Sequence, residues 1–121
     1  MEVIEARRKL REQVARDASS WAAELPFRLT AILVGSYARG DFNLWSDIDI
    51  LLVSEDFEGG PVERLKALDT PPGFQVIPLT PNEFRRLLDR GDHLAVEAVE
   101  SGLILRDDLK IQPSTFTARN Q

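Results

Sequence analysis

Asp47 and Asp49 flank Ile48 at the start of an apolar run, Ile48 to Val53. If that run is a β-strand, residues two apart project from one face, so two carboxylates meet on one side while Ile48 and Ile50 are buried on the other. Like charges held that close repel and raise a carboxyl pKa unless a cation lies between them, and all-oxygen ligation favours Mg²⁺ or Mn²⁺ over zinc. An isolated Asp-x-Asp more commonly just ends a strand in solvent, so the pair needs a second feature to carry chemistry. Gly35-Ser36 is that feature, placed where the preceding apolar run stops and a helical turn is predicted. Glycine lets a ligand approach the backbone closely, and exposed amides beside a serine hydroxyl can hold phosphate oxygens. A purely structural Gly-Ser turn would read the same way. No Gly-Lys-Ser/Thr follows, so this is not a P-loop, and the glycine spacing is not that of a dinucleotide site.

The elements that must position these residues can be read from hydrophobic spacing. A length of 121 residues suits a single unit over 1–121 with one core, and 43% hydrophobic with 29% charged residues is a globular composition. Val3, Leu10, Val14, Ala18, Trp21 and Leu25 recur at helical spacing, predicting an amphipathic helix over 1–25 that Pro26 ends. Leu29 to Val34 and Ile48 to Val53 read as strands, Val62 to Leu68 as a short helix and Phe74 to Leu79 as a third strand. Thr80-Pro81-Asn82-Glu83 is a capping box with proline at the first helical position. It predicts a helix to about Asp89, a break at Gly91-Asp92 and a second helix from His93 to Glu100. Leu103 to Leu105 reads as a last strand, and 111–121 is expected to fray.

Several classes of function are disfavoured. The net charge of −5 opposes a broad phosphate-backbone footprint, so direct nucleic-acid binding is not expected. No apolar run approaches bilayer length and the first residues do not resemble a signal peptide, which makes the cytoplasm the expected compartment. Without cysteine there is no disulfide framework or thiolate metal site. His93 has no second histidine at ligand spacing, and Arg7, Arg8, Lys9 and Arg11 are interleaved with Glu5 and Glu12 as in a helix face carrying ion pairs. Asp41 reads as a solvated turn residue. Tyr37 and Trp45 could flank a base, with buried packing the commoner use of such rings.

The stretch Leu33-Val34-Gly35-Ser36-Tyr37-Ala38-Arg39-Gly40, five intervening residues, and Ser46-Asp47-Ile48-Asp49-Ile50-Leu51-Leu52-Val53 closely resembles the signature of the DNA polymerase beta-like nucleotidyltransferases, above all their minimal prokaryotic members. The resemblance covers about two thirds of the chain. It implies an α/β (α+β) fold with a mixed, largely antiparallel sheet flanked by helices. It also implies roles: Gly35 and Ser36, with Arg39 and Ser46 on the motif, would bind a nucleoside triphosphate, and Asp47 and Asp49 would hold Mg²⁺ for transfer of a nucleotide to a protein or small-molecule acceptor. Whether Arg39 reaches the nucleotide or only braces the turn through local hydrogen bonds stays open, with bracing the favoured use.

The chain departs from that pattern at Gln75, where the resembling enzymes carry a third carboxylate. No Asp or Glu lies between Gly73 and Asn82, so sliding the strand does not restore it. Three readings stay open: Gln75 is a tolerated variant, Glu55 or Asp56 substitutes from a loop, or the protein binds nucleotide without efficient transfer. Small members of the family commonly pair with a HEPN-domain protein as antitoxins, which makes such a partner the expected one, and a homo-oligomer stays open. The helical stripes could serve such a contact, although packing on the protein's own sheet accounts for most of them.

Overall fold

The computed structural model describes residues 2–111, so the stretch expected to fray lies, apart from its first residue, outside the described residues. Strands form where β-branched and leucine residues cluster, and helices where charge and aliphatics alternate at 3.6 spacing. The order is α1 (Glu2–Glu24), β1 (Thr30–Val34), α2 (Ser36–Arg39), β2 (Ile48–Val53), α3 (Pro61–Lys66), β3 (Phe74–Leu79), α4 (Pro81–Asp89), α5 (His93–Ser101) and β4 (Leu103–Asp107). The four strands make one sheet in the order β3-β2-β1-β4. β1 pairs antiparallel with β2 and β4, while β3 runs parallel to β2. The mixed, largely antiparallel sheet expected from the family resemblance is therefore the observed one.

Both faces of the sheet are covered, which is why the central strands read as unbroken apolar runs rather than alternating ones. On one face Ala31, Leu33, Ile50, Leu52 and Val76 pack with Val14, Ala18 and Ala22 of α1. On the other, Ile32, Val34, Leu51 and Val53 pack with Phe84 of α4 and Ala95 and Ala98 of α5. Asp49 has the parity of Leu51 and Val53, so it lies on the α4/α5 face, at the end where the apolar floor stops. Pro78 is accommodated in β3 because that strand is an edge. Among the described residues no helix is long and apolar enough to cross a membrane.

The first half of α1 departs from expectation. Val3 is 71% exposed and Leu10 is also exposed, because α1 meets the body there through arginines rather than through an apolar stripe. Of the basic cluster, only Arg8 makes the expected helix-face ion pair among the described residues, to Glu5 at 2.7 Å. Arg7 and Arg11 instead donate to main-chain carbonyls of the segment after β1.

The capping box at α4 forms as read: Glu83 N–H donates to Thr80 Oγ1 and Thr80 N–H to Glu83 Oε1. Glu83 also accepts from the buried Arg64, at 2.6 and 3.2 Å, and Arg64 donates further to the Gly59 and Pro78 carbonyls. One carboxylate thus ties α3, β3 and α4 together. The Arg64 guanidinium and then the Thr80 amide lower the Glu83 pKa from 4.5 to about 2. A depressed carboxyl pKa contributes stability that is complete above the unfolded value and is lost as pH falls through the folded one. Glu83→Gln should therefore lower stability at neutral pH by about 2 kcal/mol, less than the ~3–5 of a fully buried pair because Glu83 is partly exposed. In chemical denaturation from pH 7 to 2, the wild type should lose its advantage over the variant between pH 4.5 and about 2.

Candidate functional site

β1 ends at Val34, which pairs with Asp49 across the β1–β2 ladder, so the chain turns directly beside that carboxylate. The turn residue is Gly35, at φ 77° and ψ −156°, a conformation that residues with a Cβ rarely adopt. Space makes the same demand: a Cβ on Gly35 would run into Asp49 Oδ2. The Gly35 turn and the Asp49 carboxylate are thus in contact, and only glycine permits it.

The helix that follows, α2, has four residues, too few to hold itself. It is held from outside at both ends. Arg11 donates to the Tyr37 carbonyl at 2.8 Å and the Ala38 carbonyl at 2.5 Å, and Arg7 to those of Phe42 at 2.7 Å and Gly40 at 3.1 Å. These guanidinium groups satisfy carbonyls at a helix C-terminus, where positive charge is favourable. Tyr37 is buried and stacks on Phe42 at 4.4 Å, with the Arg7 guanidinium over the other ring. Buried packing was the expected use of Tyr37, and it holds.

At the N-terminal end the clamp is Glu97 of α5, 7% exposed. Its Oε2 accepts from Gly35 N–H at 2.9 Å and its Oε1 from Arg39 Nη1 at 2.5 Å, while Arg39 Nε donates to Asp41 at 3.2 Å. Bonding to Glu97 and then to Asp41 raises the Arg39 pKa further above its ordinary value. Arg39 therefore braces the turn, as expected, and Asp41 is the exposed outer end of that brace. One detail is corrected: the Gly35 amide faces a buried carboxylate and is not open to a ligand. Among the described residues, the amides of Ser36 and Tyr37 begin α2 without a side-chain cap, and Ser36 is half-exposed.

Glu97 was not singled out in the sequence. Its signal is an acid set among Leu94, Ala95, Ala98 and Val99 on the face of α5 that packs on the sheet. A carboxylate on such a face requires partners.

Asp49 is half-buried and Asp47 exposed. Burial raises the Asp49 pKa most, the nearby charges of Asp47 and Glu97 raise it further, and Arg39 opposes them. Gln75 is the direct partner of Asp49 in the parallel β2–β3 register, which places it on the same rim. Among the described residues no group of three Asp, Glu, His or Cys is arranged to hold a metal ion. Glu55 and Asp56 are excluded as substitutes for a third acid. They follow Val53, the far end of β2, which four strand residues at ~3.3 Å each set about 13 Å from Asp49. Asp56 instead lines a cavity of about 620 Å³ with Phe27, Phe57 and Arg64, at the end of the sheet away from the carboxylate pair.

The loop from Asp41 to Ser46 brings the chain back to Asp47. Ser46 closes it: its Oγ accepts from Asn43 N–H at 2.9 Å and its amide donates to the Asn43 carbonyl at 3.1 Å. The Ser46 hydroxyl is thus engaged in the turn. Trp45, for which buried packing was the expected use, is instead 89% exposed at the tip of this turn. His93 is exposed at the start of α5, with no role in the site.

A model of the nucleotidyltransferase domain matches residues 7–112, a span that contains Gly35, Ser36, Arg39, Asp47, Asp49, Gln75 and Glu97. No curated protein matches the chain in sequence. Among solved structures, a candidate nucleotidyltransferase from Sulfolobus solfataricus superimposes with a TM-score of 0.53 at 21% identity, over 86% of each chain. At that identity the likeness concerns the fold. With seven-eighths of its length matched and the glycine turn set against the carboxylate pair, this chain belongs to the nucleotidyltransferase domain family.

Proposed function

We propose that the protein transfers a nucleoside monophosphate from a nucleoside triphosphate to a hydroxyl of a protein or small-molecule acceptor, with Mg²⁺ or Mn²⁺ held by Asp47 and Asp49. The observation that supports this reading is the contact between the Gly35 turn and the Asp49 carboxylate, by which the start of α2 and the strand carrying Asp49 share one rim. A divalent cation fits the donor set. Asp49 is raised by desolvation and by its acidic neighbours, a strain that a bound cation relieves. When bound, it would neutralise triphosphate charge and orient the departing pyrophosphate.

The chain's own residues do the rest. The Ser36 hydroxyl and the Ser36 and Tyr37 amides hold phosphate oxygens, and Gly35 lets them approach. Glu97 and Arg39 fix that turn so its donors are in place before the ligand arrives. The acceptor oxygen bonds to the α-phosphorus, the bond to the β-phosphate oxygen breaks, and the acceptor proton leaves to the exposed Asp47 or to water. Gln75, whose amide is no base, cannot take it.

A second reading is favoured by that residue. With Gln75 beside Asp49 in place of an acid, the same fold would serve as a nucleotide-binding module that neutralises a HEPN-type partner by complex formation.

Incubation with labelled ATP, CTP, GTP or UTP, Mg²⁺ and a co-purified partner separates the two. The wild type is expected to label its acceptor, and Asp47→Asn/Asp49→Asn to lose transfer by roughly two to three orders of magnitude. Labelling that persists in the double variant would reject the assigned site, and stable binding of the partner without any labelling would support the second reading. Restoring an acid with Gln75→Asp should tighten Mn²⁺ binding in calorimetry and speed any transfer, since the new charge faces the pair. In thermal melts without divalent cations, Asp49→Asn should raise Tm by a few degrees, because it removes a desolvated charge repelled by Asp47 and Glu97. An unchanged or lower Tm would show that the carboxylates are not in conflict.

A further inference from the structure

Among the described residues the aromatic rings are buried or partly buried, with one exception. Tyr37 and Phe42 stack on each other, Phe27 packs edge-on to Phe57, Trp21 packs on Phe74 while its indole N–H donates to the Asp69 carbonyl, and Phe84 is in the core. Trp45 alone offers both faces of its ring, at 89% exposure, followed in chain order by Ser46 and Asp47. Full exposure of an indole on a water-facing turn has no packing benefit, so its position calls for a ligand.

The backbone that presents Trp45 is well fixed for so exposed a residue. Its own amide donates to Asn43 Oδ1 at 2.8 Å, and the Asn43–Ser46 bonds close the turn around it. The Trp45 and Asp47 α-carbons can be at most about 7 Å apart along the chain. A triphosphate held at Ser36, Asp47 and Asp49 therefore carries its base within one nucleoside's length of the ring.

We infer that Trp45 is the base-stacking platform of this site, taking the nucleobase of the triphosphate on its exposed indole face. This rests on the triphosphate reading of Gly35, Ser36, Asp47 and Asp49 given above. Stacking on a single ring, without hydrogen bonds to the base edge, favours extent of π-surface over identity, so ATP and GTP should bind more tightly than CTP and UTP.

Two measurements test it. Trp21→Phe leaves Trp45 as the sole indole of the chain, and its fluorescence should be quenched by ATP with Mg²⁺ but not by inorganic tripolyphosphate with Mg²⁺. In the otherwise native chain, calorimetry should show that Trp45→Ala weakens ATP binding about ten-fold, leaves tripolyphosphate binding unchanged, and is largely rescued by Trp45→Phe. The exposure of Trp45 makes loss of folding an unsuitable explanation for such a change. If Trp45→Ala binds ATP as tightly as the wild type while both bind tripolyphosphate, stacking is refuted and the phosphate site stands. If the wild type binds neither ATP nor tripolyphosphate, the triphosphate reading itself fails, and this inference with it. If Trp45→Ala instead abolishes association with a co-purified protein and leaves ATP affinity intact, the ring is a protein contact and the inference is overturned.

Discussion

The arrangement of the candidate site depends on one buried carboxylate. Glu97 reaches from α5 to the end of β1 and binds the Gly35 amide with one oxygen and the Arg39 guanidinium with the other. A carboxylate removed from water is costly unless both oxygens are satisfied, and here each has a partner. The result is a rigid link between a helix, a strand end and a one-turn helix that lie 58 and 62 residues from Glu97 in sequence. Because Gly35 N–H is used up in this link, the turn's uncapped amides are those one and two residues along, at Ser36 and Tyr37.

The opposite end of α2 is held by a different device with the same logic. Arg7 and Arg11, four residues apart on α1, present their guanidinium groups to carbonyls that a four-residue helix cannot satisfy internally. A turn too short to be stable alone is thereby ordered by charged hydrogen bonds at both ends, each of the stronger kind. The first turns of α1 stand exposed as a consequence: Val3 and Leu10 lack an apolar surface beneath them because arginines make the contact.

Much of the fold could be read from the chain because its elements obey local rules. The Thr80-Glu83 capping box, the break at Gly91-Asp92 and the unbroken apolar runs of β1 and β2 each have a local cause, and each forms within a residue or two of where it was expected. The parallel pairing of β3 with β2 was not legible from periodicity, which is silent on strand direction. In the site, Gly35, Ser36, Asp47 and Asp49 are close in sequence and form a recognisable motif, whereas Glu97 is not part of it. Arg7 and Arg11 were misread because Glu5 and Glu12, interleaved with them on their own helix, offered a nearer explanation than carbonyls 26 to 35 residues away. Trp45 was misread because aromatic burial is the general rule, and only the turn made by Asn43 and Ser46 sets it outside.

The electrostatics of the rim explain why these devices are needed together. Asp47, Asp49 and Glu97 place three carboxylates near one strand end, with Arg39 the cation that opposes them at Asp49. Arg39 cannot neutralise all three, and it is itself drawn toward Glu97 and Asp41. Asp49 is thus left partly desolvated and undercompensated, a state the surrounding fold tolerates because the Arg64–Glu83 tie and the two-faced core hold the sheet independently of it. On the proposed cation reading, such residual negative potential on an otherwise fixed rim is better met by a multivalent cation than by Lys or Arg side chains, since one small ion can satisfy two oxygens at once. Gln75 sets the limit of that potential: a neutral amide beside Asp49 adds no further negative charge to the rim.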